Sequence, residues 1–406
     1  MNKNIWILNH YANLGEGRHY KFARILLKRG FNVTIFAAST IHNTNNNRIK
    51  DSKKFIIEKE QGVPCVYIKT SNYLGNGKTR IKNMLQYAVR LMSVSKGLDE
   101  VKPDVIYASS VHPLTWVSGY LLSKRYKAKF IAETRDLWPE TLVAMGQIRA
   151  NSLVAKVLYK IERFIYIKAD SLIFTFPGGK DYIKNIGLNR PKVSYINNGV
   201  DIQEYNNNIN EFVYYDKDLE NIDTFKVLYT GSMGQANALE YLISAAGIIS
   251  NMGIEDIQFI LFGDGYERQE LEKQVKYSKI CNVVFKGQIE KTYIPNVLSR
   301  SDLNVFNSKH IDLYKYGLSL NKMFDYFASG KPTLSNIECG YDMLDEYGCG
   351  ETVKGGSAEA LADGILRFYN MTKEEYNGYC ERALKTAQYF DFEVLTDKLE
   401  EIILEN

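Results

Sequence analysis

The chain has 406 residues, 45% of them hydrophobic and 24% charged, which is the composition of a globular protein large enough for two or three domains. No uncharged apolar run reaches the roughly 18 residues of a transmembrane helix, and the start, MNKNIWILNHY, lacks the apolar region and cleavage site of a signal peptide. Cys65, Cys281, Cys339, Cys349 and Cys380 form no CxxC pair, which argues against a disulfide framework or a structural zinc site.

The net charge of +4 hides an asymmetry. Residues 1–200 carry 32 Lys/Arg against 13 Asp/Glu, and the remainder carries 19 against 34. One half therefore suits an anionic surface or ligand, such as nucleic acid or anionic lipid, unless the two halves attract each other.

In chain order, NIWILN (4–9) predicts a buried strand, followed by a Gly-containing loop and a helix from about Gly17 to Arg29. NVTIFA (32–37), PCVYIK (64–69), DVIYAS (104–109), KFIAET (129–134) and DSLIFT (170–175) predict further strands, with helical stretches between most of them. NTNNNR (43–48) reads as a solvated loop. RIKNMLQYAVRLMSVSKG (80–97) mixes cations with an apolar face, which suits either an anionic membrane surface or an ordinary domain helix. Continuous apolar strands alternating with helices predict a parallel sheet covered on both faces.

INNGVDIQEYNNNIN (196–210) interrupts this alternation with turn-forming residues, so the joint is placed there, between domains 1–203 and 204–390. The alternation restarts with FKVLYT (225–230), IQFILFG (257–263), NVVFKG (282–287), DLNVFN (302–307) and PTLS (332–335), which predict a second doubly wound domain. Residues 391–406 read as an amphipathic helix packing near the joint. DKD (216–218) has the spacing of a metal-binding acidic pair, but its interdomain position reads as a solvated loop. Ligands of open α/β sheets bind beyond the carboxyl ends of the strands, so two such domains imply a shared cleft.

Several residues at predicted strand ends carry chemistry. Gly15 and Gly17 let backbone approach a ligand at a helix start. Gly263 and Gly265 form a second Gly-x-Gly. Both fingerprints lack the third glycine of a dinucleotide site, and FTFPGGKD fails as a Walker loop. His112 follows the fourth strand candidate, and Glu133, Arg135 and Asp136 follow the next. In YGLSLNKMFDYFASGKP (316–332), Ser319 is a plausible N-cap, Leu320, Phe324 and Phe327 mark a buried face, and Gly330 and Pro332 stop the helix. Lys322 stands in the first turn, where the macrodipole favours an acid. A bound diphosphate would explain it, and Asp325, three residues on, could then accept hydrogen bonds from ribose hydroxyls. An i,i+3 surface salt bridge is the other explanation.

YGLSLNKMFDYFASGKPTLSN resembles the segment with which family 4 glycosyltransferases grip a nucleotide sugar. VLYTGSMGQANALEYLISAA, FILFGDGYERQEL and VVFKGQIEKTYIPNVLSRSDLNVF are similar to three further family stretches, in the same order. GEGRHYKFARILLKRGFNVTIFA, PDVIYASSVHPLT and AETRDLWPETL resemble the N-terminal half. The RDLWPE and S-x-x-K-x-F-x-Y-x-A-x-G-K-P forms are most similar to the branch with N-acetyl-L-fucosamine transferases of O-antigen and capsule synthesis.

The resemblance implies a GT-B fold, α/β with two Rossmann-like domains facing a cleft. It also implies a retaining transfer from an NDP-sugar, UDP-linked in this reading, with neither metal nor cofactor. His112, Lys322 and Asp325 would form the catalytic set. Gly15, Gly17, Gly231, Ser232, Met233, Gly263, Gly265, Arg268, Gly287, Gln288 and Ser319 would join Lys322 and Asp325 around the donor. Arg18, Glu133, Arg135 and Asp136 would meet the acceptor, a saccharide or polyprenyl-diphosphate-linked saccharide. The protein would then be cytoplasmic and peripheral on the membrane, with no nucleic-acid partner. Two departures stand out. Gly317 replaces the first of two family glutamates, and GSMGQANALE lacks the usual Arg and Lys after the TG strand, which shifts phosphate neutralisation onto Lys322, Arg18 or helix dipoles. A sugar-nucleotide 2-epimerase and a non-catalytic nucleotide-sugar-binding protein share the same layout and remain as alternatives.

Overall fold

The apolar runs become strands. In the computed structural model, which describes residues 3–75, 77–98, 102–110, 112–190 and 192–405, the first sheet has eight strands. They are β1 (Asn4–Leu8), β2 (Asn32–Ala38), β3 (Phe55–Glu60), β4 (Val63–Ile68), β5 (Val105–Ser110), β6 (Lys129–Thr134), β7 (Ser171–Phe174) and β8 (Val193–Tyr195), in the order β3-β4-β2-β1-β5-β6-β7-β8. β1 pairs in parallel with both β2 and β5, with Ile5 opposite Val33 and Val105. All six residues of β5 are buried, as a strand covered on both faces requires.

Two strands of this sheet escape the sequence pattern. β3 reads FIIEKE and pairs antiparallel with β4 at the sheet edge, where one face is wet and the apolar signal is diluted. β8 has only three residues. The covering helices include α1 (Gly17–Lys28), α2 (Lys78–Val94), α3 (Pro113–Tyr126) and α4 (Leu153–Lys168). α2 turns Met84, Tyr87, Leu91 and Val94 inward, and the Tyr87 hydroxyl donates to the Phe36 carbonyl at 2.8 Å. α2 packs on α3, and α3 on α4.

The second sheet is entirely parallel: β9 (Phe225–Thr230), β10 (Ile257–Phe262), β11 (Val283–Gly287), β12 (Leu303–Phe306), β13 (Thr333–Ser335) and β14 (Gly350–Thr352), in the order β11-β10-β9-β12-β13-β14. One core cluster holds Val227, Phe259 and Leu261. The other holds Leu228, Ile260 and Phe324. Alternate strand residues thus feed opposite faces.

The chain divides into two compact units, Met1–Asn197 with Leu395–Asn406, and Asn198–Val394. The joint therefore lies a few residues before the expected 203/204. Val200 donates its N–H to the Phe390 carbonyl and accepts from the Phe392 N–H, each at 3.0 Å. α5 (Ile202–Glu211) carries Tyr205 into the Phe324 core. These contacts draw 198–203 into the second unit.

Two later helices complete the set, α6 (Asn321–Ala328) and α7 (Phe392–Leu404). From Leu395 onward α7 belongs to the first unit. Leu395, Leu399 and Ile403 are fully buried. Lys3 Nζ donates to the Ile403 carbonyl at 2.8 Å, and Lys129 Nζ donates to the carbonyls of Ile402 and Glu405. These ammonium groups satisfy carbonyls that a helix end leaves open and sit at its negative pole. Arg29 grips the outer face through Asp397 at 2.7 Å and Glu400 at 2.8 Å. Leu399→Ala should therefore destabilise the first unit by about 3 kcal/mol, read as a lower urea midpoint. An unchanged midpoint would show that α7 adds nothing to that core.

Candidate active site

The β1–α1 connection begins with Asn9 and His10. The His10 ring is buried between Tyr11, 4.5 Å away between centroids, and Tyr87, 4.7 Å away and nearly parallel. His10 Nδ1 lies 2.6 Å from His112 Nε2, and His10 Nε2 lies 2.6 Å from Asn83 Oδ1. His112 is the extended N-cap residue of α3, with Pro113 next. Burial disfavours the charged ring in both cases: His10 is pushed down to about 3 and His112 well below the usual imidazole range. His112 Nδ1 is buried and has no hydrogen-bond partner among the described residues.

Beside this pair lies a second buried group. Glu133, fully buried at the end of β6, receives Arg18 Nη2 at 2.9 Å, His19 Nε2 at 2.9 Å and the Tyr107 hydroxyl. Arg18 also donates to the carbonyls of Ile196 and Asn197 at 3.2 Å. Burial would raise the Glu133 carboxyl, but the Arg18 and His19 groups outweigh this and hold it well below the usual carboxylate range. Arg18 and Glu133 were expected at the acceptor. Instead they are spent on one another inside the first unit, because a buried carboxylate needs every donor in reach. Arg135 is half-buried and Asp136 exposed, and neither side chain has an ion-pair partner within 4 Å among the described residues. These two remain available to a ligand. Gly15 and Gly17 both have positive φ, +80° and +78°, and a Cβ at Gly15 would stand 2.8 Å from Glu60 Oε1.

In the second unit, Lys322 and Asp325 occupy α6. Lys322 Nζ lies 4.3 Å from the Tyr229 ring centroid, donates to the Tyr229 hydroxyl at 3.1 Å and reaches Asn237 Oδ1 at 3.5 Å. The Tyr229 hydroxyl donates in turn to the Ser232 carbonyl at 2.6 Å. The strand-end loop thus holds the ammonium group through neutral partners only. A Cβ at Gly231 would come within 2.6 Å of Lys322 Nζ. Among the described residues Asp325 pairs with no cation within 4 Å, so the i,i+3 salt bridge with Lys322 is absent. Burial lowers Lys322 to about 7 and raises Asp325 to about 7, the latter against the pull of Lys291.

Other expected donor residues sort differently. Ser319 does not cap α6: Leu320 is the N-cap residue, and no side chain bonds the cap. The Ser319 hydroxyl instead accepts from the Asn198 N–H at 3.1 Å, because the chain from Gly317 enters the helix one residue later than its hydrophobic spacing suggests. Met233 is fully buried in the core, with its N–H on the Asp264 carbonyl and its own carbonyl receiving Glu267. Its side chain fills the core and does not line a ligand site. Gly263 and Gly265 allow two loops to touch: a Cβ at Gly263 would lie 1.7 Å from the Gly231 carbonyl oxygen, and one at Gly265 2.3 Å from that of Met233. Arg268 pairs with Glu272 at 2.8 Å and lies beside Gly287, and Gln288 is exposed. Asp216 and Asp218 are not solvated as expected. Both are clamped by Lys286, at 2.6 Å for Asp216. No group of three metal-ligating side chains occurs among the described residues.

Known proteins repeat this layout. Residues 18–204 match the family described as Glycosyltransferase Family 4, and residues 224–371 match Glycosyl transferases group 1. Between them the two matches cover most of the chain. Both are glycosyltransferase families, the first of them family 4. The chain is 23% identical over 300 residues to the probable glycosyltransferase WbjE of Pseudomonas aeruginosa, covering 71% of this chain and 70% of that protein. Its fold superposes on Anabaena HepE in complex with UDP and glucose with a TM-score of 0.69 at 16% identity, over 99% of both chains. It also superposes on WaaG, a glycosyltransferase of lipopolysaccharide biosynthesis, at 0.68 and 14% identity, over 99% of this chain and 100% of that one. The fold of this glycosyltransferase is therefore GT-B. The N-acetyl-L-fucosamine branch is a finer reading than these matches reach.

His10 and Asn83 were missed in the sequence. His10 directly follows the first strand, as His112 follows the fourth candidate, and this repeated placement was the available signal. Asn83 interrupts the buried face of α2 between Arg80 and Met84, where an apolar residue fits the period.

Acid should weaken this arrangement. His10, His19 and His112 stay neutral when folded but take protons near pH 6.5 when unfolded. A depressed folded pKa gives stability that is complete above about pH 6.5 and is lost as pH falls, and Glu133 adds a further loss below about pH 4. The urea midpoint of the glycosyltransferase should fall steadily between pH 7 and pH 5. A flat profile over that interval would mean the rings are protonated in the fold.

Proposed function

We propose that this glycosyltransferase moves a sugar, with retention and without metal, from a UDP-linked donor to a growing polyprenyl-diphosphate-linked saccharide in surface polysaccharide synthesis. The observation that carries the reading is the Lys322–Asp325 turn, a half-buried ammonium and carboxyl on one helix face with no ion-pair partner within 4 Å for either among the described residues. Leaving both groups unpaired costs stability unless a ligand supplies the partners. A nucleoside diphosphate does so, with the phosphates on Lys322 and the α6 amides and the ribose hydroxyls on Asp325.

Departure of UDP then places negative charge where Lys322 already points, and leaving-group stabilisation is the main catalytic term. His112 orients the sugar, and Arg135 and Asp136 meet the acceptor. The UDP complex of HepE supports the nucleotide, and the lipopolysaccharide role of WaaG supports the class of product. Among the branches of the family, the motifs already quoted are most similar to the one with N-acetyl-L-fucosamine transferases.

A membrane-bound acceptor fits the outer face of the first unit. α2 exposes Ile81, Leu85 and Val89 between Lys78, Lys82 and Arg90. α4 exposes Leu153, Val154, Val157 and Phe164 between Lys156, Lys160 and Arg163. The only acid within α2, α3 and α4 is Glu162, which is buried. Apolar side chains among cations, without exposed carboxylates, suit the anionic cytoplasmic face of a bilayer.

Lys322→Ala should lower kcat for UDP-sugar turnover about 100-fold or more while the melting temperature changes little. Equal turnover in the variant would remove the leaving-group role. Addition of EDTA should leave activity unchanged, and its loss would overturn the metal-free reading. Val89→Asp should reduce co-sedimentation with phosphatidylglycerol vesicles at low salt. Binding that ignores both the substitution and the anionic lipid would exclude docking through α2.

A further inference from the structure

The polar chain behind His112 has a defined direction. Asn83 Nδ2 donates to the Ser71 carbonyl at 2.6 Å and to Thr40 Oγ1 at 3.2 Å. The Ser71 carbonyl can only accept, so the Asn83 amide nitrogen must face it and Oδ1 must face His10. Oδ1 also only accepts. The 2.6 Å contact therefore requires the hydrogen on His10 Nε2. A neutral imidazole carries one ring hydrogen, which makes His10 Nδ1 an acceptor. Two lone pairs cannot share the 2.6 Å to His112, so the hydrogen there sits on His112 Nε2. His112 Nδ1 is left as a bare acceptor, and it is the buried ring nitrogen without a partner.

We infer that His10 and Asn83 are positioning residues, which hold His112 in the Nε2–H tautomer so that its Nδ1 accepts a hydrogen bond from a substrate hydroxyl. This rests on the reading that His112 meets a sugar substrate. A hydroxyl satisfies the bare Nδ1, whereas a phosphate or carboxylate oxygen would meet it lone pair to lone pair. The stack of His10 between Tyr11 and Tyr87 fixes the ring plane and with it the direction of the chain. Burial of both rings in an uncharged state agrees with this single-hydrogen arrangement.

The tautomer can be read directly. The chain has five histidines, so ¹⁵N-histidine spectra are assignable by single substitutions. In the unsubstituted protein at neutral pH the His112 ring should show a protonated Nε2 and a bare Nδ1. A protonated Nδ1 overturns the inference without any variant having to fold. His10→Phe keeps a ring between Tyr11 and Tyr87 but removes the acceptor, and His112 should then become a mixture of tautomers.

Turnover is measured as UDP release from the best substrate among UDP-glucose, UDP-galactose and UDP-N-acetylglucosamine. His10→Phe should lower kcat about 100-fold with little change in the Kd for UDP. His10→Gln, which can accept from His112 and donate to Asn83, should recover most of that loss. Full kcat in His10→Phe, beside an inactive His112→Ala, sinks the positioning role alone. Full activity in His112→Ala sinks the reading of His112 itself.

Discussion

An ammonium group half-buried without an anion is the constraint around which the second unit is arranged. Tyr229, at the end of β9, offers Lys322 a ring face and a hydroxyl oxygen, and Asn237 offers an amide oxygen. None of these neutralises charge. They aim it. Gly231 must lack a side chain so that the ammonium can lie over the loop, and Gly263 must lack one so that the next loop can pack beneath. The glycines that resemble a ligand-binding fingerprint thus act partly at one remove, by letting two strand-end loops and one lysine occupy the same small volume.

The first unit solves the opposite problem. Its buried carboxylate, Glu133, is surrounded by donors from Arg18, His19 and Tyr107, so its charge is matched within the unit. Only two or three positions of chain separate that satisfied group from Arg135 and Asp136, which have no ion-pair partner within 4 Å among the described residues. Matched charge holds the strand ends in place, and unmatched groups are what a substrate can use.

Legibility followed burial. The parallel strands were readable because both of their faces are dry, which gives unbroken apolar runs. Edge strand β3, with a wet face, and the three-residue β8 and β14 carry too little of that signal. Lys322 was readable because it contradicts the charge preference of a helix start. Ser319 was misjudged because a serine before a helix can bond in several directions, and only the fold shows that it turns to Asn198. Arg18 and Glu133 stood at positions that promise chemistry. Whether such a pair faces a ligand or itself depends on contacts across about 115 residues of sequence, which no local pattern reports. Asn83 was hidden within an apolar helix face for the same reason.

The α7 crossing has a consequence for biosynthesis. The first unit is discontinuous: its sheet lies in the first half of the chain, while the helix that buries Leu395, Leu399 and Ile403 against it comes only after the whole second unit. The N-terminal half must wait, with an uncovered apolar seam, until the other half has been synthesised. Lys3 and Lys129, held ready for the carbonyls at the end of that helix, make its synthesis the step that seals the first sheet.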